Sequence, residues 1–167
     1  MRSRNKRIIL CGPYFKHGHP ILSKLALLLR GLGFQVTLCS ELFPAKKPSS
    51  PESIRQATYQ CMHAASAYLF VFLSPNTTGN AGDHLDLTGG VGFEYGLLYS
   101  RIKSKEHVYI AHLFDGIKYL QSISNLLKTE HWRSNDLVAV MQNPGDIAEL
   151  KELAVALCCT LDSLLCS

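Results

Sequence analysis

Tyr68-Leu69-Phe70-Val71-Phe72-Leu73, running straight into the polar Ser74-Pro75-Asn76, is the stretch that decides the fold. An unbroken apolar run rich in aromatic and β-branched residues reads as a strand covered on both faces, because no alternation with polar residues is kept. Such strands belong inside parallel sheets sandwiched between helices. Upstream, Arg7–Cys11 (RIILC) is a second run of this type, ended by Gly12-Pro13. Between the two runs, Ile21, Leu22, Leu25, Leu28, Leu29 and Leu32 recur at helical spacing, and Gly31 and Gly33 supply a stop. Phe34–Cys39 (FQVTLC) reads as a strand and Glu41–Ser50 as a loop. Ser49 or Ser50 then caps a helix with Pro51 in first position, Glu52 in the first turn, and Ile54, Ala57, Cys61 and Ala65 on one face.

Downstream the pattern repeats. A polar, glycine-rich loop spans Ser74 to Gly90, and helical character follows from Val91 to Lys103. Val108–Ala111 reads as a strand, Ile117–Leu127 as a helix and Leu137–Met141 (LVAVM) as a fifth strand. Asn143-Pro144-Gly145-Asp146 opens a last helix, Asn143 as cap and Pro144 in first position, with Ile147, Leu150, Leu153, Leu157, Leu161 and Leu164 inward. Five strands alternating with helices imply parallel pairing, since parallel neighbours need a crossover. The expectation is one α/β domain over residues 1–167: a doubly wound, flavodoxin-like five-stranded parallel sheet in the order 2-1-3-4-5, with helices on both faces. Ligands of such sheets bind beyond the carboxyl ends of the strands, near the switch point in strand order. That selects the loops Cys11–Pro20, Cys39–Ser50 and Ser74–Glu94.

Composition narrows the function classes. The chain has 167 residues, 47% hydrophobic and 18% charged, with a formal charge of +4. The apolar share is too high for a disordered chain, and no apolar run approaches the roughly 20 residues that span a bilayer. Much of the positive excess sits in Arg2, Arg4, Lys6 and Arg7, a solvated tail rather than a nucleic-acid footprint. Cysteines 11, 39, 61, 158, 159 and 166 form no C-x-x-C pair, as expected of a reduced, cytoplasmic protein without structural zinc. His17, His19 and His84 lack acid or cysteine partners at ligand spacing, so neither metal nor other cofactor is called for.

The chemistry concentrates in Thr88-Gly89-Gly90-Val91-Gly92-Phe93-Glu94-Tyr95-Gly96. Glycines where a loop turns into a helix let a ligand approach the backbone, and the helix start favours a phosphate. Thr88 adds a hydroxyl, and Glu94 lies in the first turn, facing the same crevice. The same residues also fit a plain turn with an acid near a helix start, worth about 0.3–1 kcal/mol without any function.

These residues, with Arg7–Pro13 at the first strand, resemble the nucleoside 2-deoxyribosyltransferase family. Within it they are most similar to the 2'-deoxynucleoside 5'-phosphate N-hydrolases, which carry a "CG" after strand one and a "GVGYELG"-like segment. A wider resemblance reaches the TIR domains, through Glu52–Asn76 and its "SPN" loop. The likeness covers roughly Arg7–Asp115 in order and spacing. It implies a nucleoside or nucleotide substrate and cleavage of its base–sugar bond. Glu94 matches the glutamate that attacks or electrostatically supports the anomeric carbon; an adjacent carboxylate stabilises the oxocarbenium-like centre or traps it covalently. Thr88 matches a serine that helps hold the 5'-phosphate in the hydrolases, and Gly12 the first loop facing sugar or phosphate; Gly90 and Gly92 support Glu94 as substrate-binding backbone. Tyr14 stands where a tyrosine of the first strand of some transferases would be replaced from the loop. The family's aspartate at the start of strand three falls on Ala67. Asp83, His84 and Asp86 either supply an acid from another backbone position, with Asp86 the candidate, or form a solvated polar loop. TIR-type NAD cleavage relies chiefly on one glutamate and tolerates the alanine; a binding module that lost the chemistry is a third expectation. Relatives assemble as homo-oligomers, so the same is expected here, with neither membrane nor nucleic acid as partner.

Overall fold

The computed structural model of the chain describes residues 7–13, 18–38, 41, 50–65, 67–74, 94, 96–98, 109–117 and 137–166. Five strands form one sheet: β1 (Arg7–Cys11), β2 (Gln35–Leu38), β3 (Ala67–Phe72), β4 (Tyr109–Asp115) and β5 (Leu137–Met141). They lie in the order β2-β1-β3-β4-β5, all neighbouring pairs parallel. This is the expected doubly wound, flavodoxin-like order.

Strand side chains alternate between the two faces, and each face has its own core. Ile8, Leu10, Leu69, Val71, Leu113 and Met141 pack with α1 (Gly18–Gly31) and α3 (Ile147–Cys166). Ile9, Cys11, Phe70, Phe72, Ile110 and Phe114 pack with Met62 of α2 (Pro51–Ala64) and with Leu98. The central strand β3 is buried at every position, as its unbroken apolar sequence requires. β4 runs four residues beyond the Ala111 end expected from sequence. His112 reads as a polar break, yet its ring is fully buried and lies nearly parallel to Phe72, centroids 6.3 Å apart, so apolar packing carries the strand past it.

Helix ends follow local chemistry. α1 closes on a Schellman motif: Phe34 N–H donates to Leu29 O (3.2 Å), and Gly33 N–H to Arg30 O (3.0 Å). Gly33 takes φ +91°, open to glycine at little cost. The sequence stripe of α1 holds at Ile21, Leu22, Leu25 and Leu29, all buried, while Leu32 lies past the helix end and is exposed. α2 is capped by Ser50, whose Oγ accepts from Ser53 N–H (3.2 Å), with Pro51 in the first turn. Among its described side chains Thr58 and Met62 point inward, with Ala57 and Cys61 only half-buried beside them; the side chain of Ile54 lies outside the described set.

The start of α3 departs from expectation. Asn143-Pro144-Gly145-Asp146 is a turn before the helix: Asp146 N–H donates to Asn143 O (2.9 Å), and Gly145 has φ +95°. Proline followed by a positive-φ glycine is the type II turn pattern, which the backbone adopts in preference to a helical first turn. The cap is therefore Asp146, whose Oδ1 accepts from Ala148 N–H (3.0 Å). Glu149 reaches back to the N–H groups of Gln142 (2.6 Å) and Asn143 (2.8 Å).

The outer edge of β2 is closed by side chains. Arg30 donates from Nη2 to Val36 O (2.8 Å) and to Glu41 Oε1 and Oε2 (2.8 Å each), while Glu41 Oε2 accepts Leu38 N–H (3.1 Å). Partial burial raises the Glu41 carboxyl pKa, but the Arg30 hydrogen bond, the Leu38 N–H and the Arg30 charge outweigh it, and the net shift is downward.

Candidate functional site

β1 hands the chain towards β2 on one side, and β3 hands it towards β4 on the other. Their carboxyl ends therefore flank the opening where such sheets bind ligands. Gly12 ends β1 there. It is buried, and a Cβ at this position would meet Leu22 Cδ2 at 2.8 Å and the Val71 carbonyl oxygen at 3.1 Å. The missing side chain is thus explained first by close packing of the β1 end against α1 and β3.

Glu94 belongs to the crossover between β3 and β4. It is helical, as are residues 96–98, and only 7% exposed. Residues four apart share a helix face. Leu98 is fully buried against the side of the sheet that holds Cys11, Phe70, Phe72 and Phe114, so Glu94 lies on the same inward stripe. A crossover helix returns antiparallel to its strands. Glu94 is therefore about 6 Å nearer the carboxyl edge than Leu98, at 1.5 Å rise per residue. An acid serving only to offset the helix dipole needs no burial, and taking a carboxylate out of water carries a desolvation cost. Buried polar or charged residues are few among those described: Thr58, Glu94 and His112.

A second carboxylate stands at this edge. Asp115 ends β4, half-buried, and its Oδ2 accepts from Ser74 N–H (3.0 Å) and from Ser74 Oγ (2.5 Å). Charge-assisted bonds of this kind fix a carboxylate firmly. Gly116 turns the chain away behind it at φ +80°, its N–H donating to Met141 O (3.0 Å). Sequence reading missed this pair. The signal was present in Asp115-Gly116 after an apolar run, but the strand was ended too early at Ala111.

Ala67 lies elsewhere. It is the first residue of β3, paired with Ile8 and Tyr109. At about 3.3 Å per residue, it stands roughly 17 Å from the carboxyl end of that strand. An acid there would belong to the far edge of the sheet, so the alanine removes nothing from the opening. Of the residues singled out by sequence, Gly12 and Glu94 are brought to one edge of the sheet; Tyr14, Asp86, Thr88, Gly90 and Gly92 lie outside the described residues. Among the described residues no group of three or more metal-ligating side chains gathers. No described helix is long and apolar enough to cross a membrane.

No protein-family model and no curated protein matches the chain. Solved structures do. A conserved protein from Enterococcus faecalis aligns over 90% of this chain and 99% of its own, at 16% identity and a TM-score of 0.53. A cysteine-to-serine mutant of flavodoxin from Pseudomonas aeruginosa aligns over 90% of this chain and 98% of its own, at 16% identity and a TM-score of 0.47. What is shared with the Enterococcus protein is the fold. At such identity a fold carries no function with it, which has to be argued from the site.

Proposed function

We propose that this chain cleaves the base–sugar bond of a nucleoside or nucleotide at the carboxyl edge of its sheet, with Glu94 as nucleophile or electrostatic stabiliser. The observation that carries the reading is the burial of Glu94, 7% exposed, on the inward face of a helical stretch in the crossover that follows β3. Breaking an N-glycosidic bond leaves positive charge on the anomeric carbon, and a carboxylate held out of water acts on that charge more strongly than a solvated one. The sugar is bound with its anomeric carbon towards Glu94 and its 5'-phosphate, where present, towards the glycine segment around Gly90 and Gly92. Asp115, held by Ser74, is an acceptor at the same edge for a sugar hydroxyl.

The test is direct. Purified protein is incubated with deoxynucleoside monophosphates, deoxynucleosides and NAD in separate arms, and free base or nicotinamide is followed by chromatography. Base release from one of the first two, reduced on the order of 10²–10³-fold in Glu94→Gln, is the expected result. Release from NAD alone would make the chain a TIR-like enzyme using the same residue. Tight nucleotide binding without release, equal in both proteins, would refute catalysis and leave a binding module.

A further inference from the structure

The sheet has two outer edges, and the chain treats them differently. On β2 the outward-facing Val36 carbonyl is taken by Arg30 and the outward-facing Leu38 N–H by Glu41. On β5 the polar groups of a residue point alternately towards β4 and away from it. Met141 O accepts Gly116 N–H from the end of β4, so Leu137, Ala139 and Met141 face inward. Val138 and Val140 therefore present their N–H and C=O groups outward, and no described residue caps them. The strand reads Leu137-Val138-Ala139-Val140-Met141, with no charge and no proline, the usual protections of an open edge. It is also poorly covered: only Met141 is buried, and Val138 is 38% exposed.

We infer that the open edge of β5 pairs with β5 of a second copy of this chain, antiparallel about a two-fold axis through Ala139. The edge is self-complementary in that register. Val138 of one copy exchanges N–H···O bonds with Val140 of the other, and Val140 with Val138, so each outward group of both residues finds a partner. Ala139 meets its own symmetry mate as a non-hydrogen-bonded pair, where Cα atoms approach to about 4.5 Å and a small side chain fits best. No charge opposes a like charge, since the strand carries none. Closed by Arg30 and Glu41, β2 offers no such surface. The contact joins two five-stranded sheets into one continuous sheet and does not depend on what the carboxyl edge binds. Its short strands make a smaller interface than a permanent dimer, so association is concentration-dependent.

Two measurements test this. In the first, Ala139→Cys and Val138→Cys are oxidised separately, and cross-linked peptides are identified by mass spectrometry. A thiol on the axis lies within disulfide reach of its mate, whereas one at 138 faces residue 140 of the other copy. A covalent dimer linked through position 139, and at least tenfold less through 138, is expected. Equal linking at both positions, or none at 139, overturns the proposal. In the second, sedimentation velocity follows the unaltered chain and Val140→Pro across a concentration series. The Val140 N–H points outward, so proline deletes one edge donor and leaves the ladder to β4 intact. A monomer–dimer equilibrium lost in the proline variant, with unchanged circular dichroism, supports the inference. A chain monomeric throughout, or a dimer that survives the proline, sinks it. If the proline variant fails to fold, the cross-linking result alone decides.

Discussion

Replacing Gly12 by alanine separates two accounts of the same glycine. The resemblance makes it a place where substrate meets backbone, whereas the structure makes it a packing residue. An alanine Cβ would lie 2.8 Å from Leu22 Cδ2 and 3.1 Å from the Val71 carbonyl oxygen, well inside the roughly 3.5 Å at which carbon contacts become attractive. Neither neighbour yields easily, since Leu22 is fully buried and the carbonyl belongs to the central strand. Overpacking of this kind costs about 1–3 kcal/mol. Gly12 is outside the left-handed backbone region, so alanine also gains about 0.4–1 kcal/mol by restricting the unfolded chain. The net expectation is a loss of about 0–2.6 kcal/mol. Urea unfolding followed by circular dichroism reads this loss, and a double-mutant cycle with Leu22→Ala assigns its cause. Leu22→Ala alone costs about 2–5 kcal/mol and empties the space that the new methyl needs. In that background the loss from Gly12→Ala should shrink to what the remaining contact with the Val71 carbonyl oxygen costs. The same loss in both backgrounds would refute the clash with Leu22. Unchanged stability with abolished nucleotide binding would hand the residue back to the ligand.

Three further expectations follow from local geometry. Asp115→Ala removes the acceptor of both Ser74 bonds and should cost about 1.5–3 kcal/mol, read as a lowered thermal midpoint; no shift would mean that the pair does not hold these strand ends. Gly33→Ala forces a Cβ into φ +91° and should destabilise by about 1–2 kcal/mol, although nothing crowds the site sterically. The downward shift of Glu41 means that the folded state prefers its carboxylate: the stability it contributes is present above the ordinary carboxyl value of 4.5 and is lost as pH falls through the lower folded value. Unfolding midpoints measured down that range should fall less steeply in Arg30→Ala than in the unaltered chain, and parallel curves would dismiss the clamp.

The strands were legible wherever burial on both faces suppressed alternation. Residues 68–73 and Arg7–Cys11 show this, whereas the edge strand Leu137–Met141 was legible from its unbroken apolar letters although only Met141 is buried. The end of β4 was not legible, because a buried histidine has the same letter as a solvated one; aromatic rings from the neighbouring strand decide between them. The turn before α3 failed for a related reason. Proline suits both a first helical turn and a type II turn, and the positive φ of Gly145 chooses the second. At the carboxyl edge, Glu94 was singled out because glycines precede it, whereas Asp115 was not, because its partner Ser74 is 41 residues away.

Periodicity and caps act between residues a few positions apart, so the chain itself set its alternation of strand and helix, the helix stops and the parallel sheet. Other properties depend on atoms distant in sequence and close in space. The burial of Glu94, the Ser74–Asp115 contact, the tight fit around Gly12 and the contrast between a β2 edge capped by Arg30 and Glu41 and a β5 edge that no described residue caps exist only once the sheet is assembled. Each is a relation between elements, and no single stretch of sequence holds both of its halves.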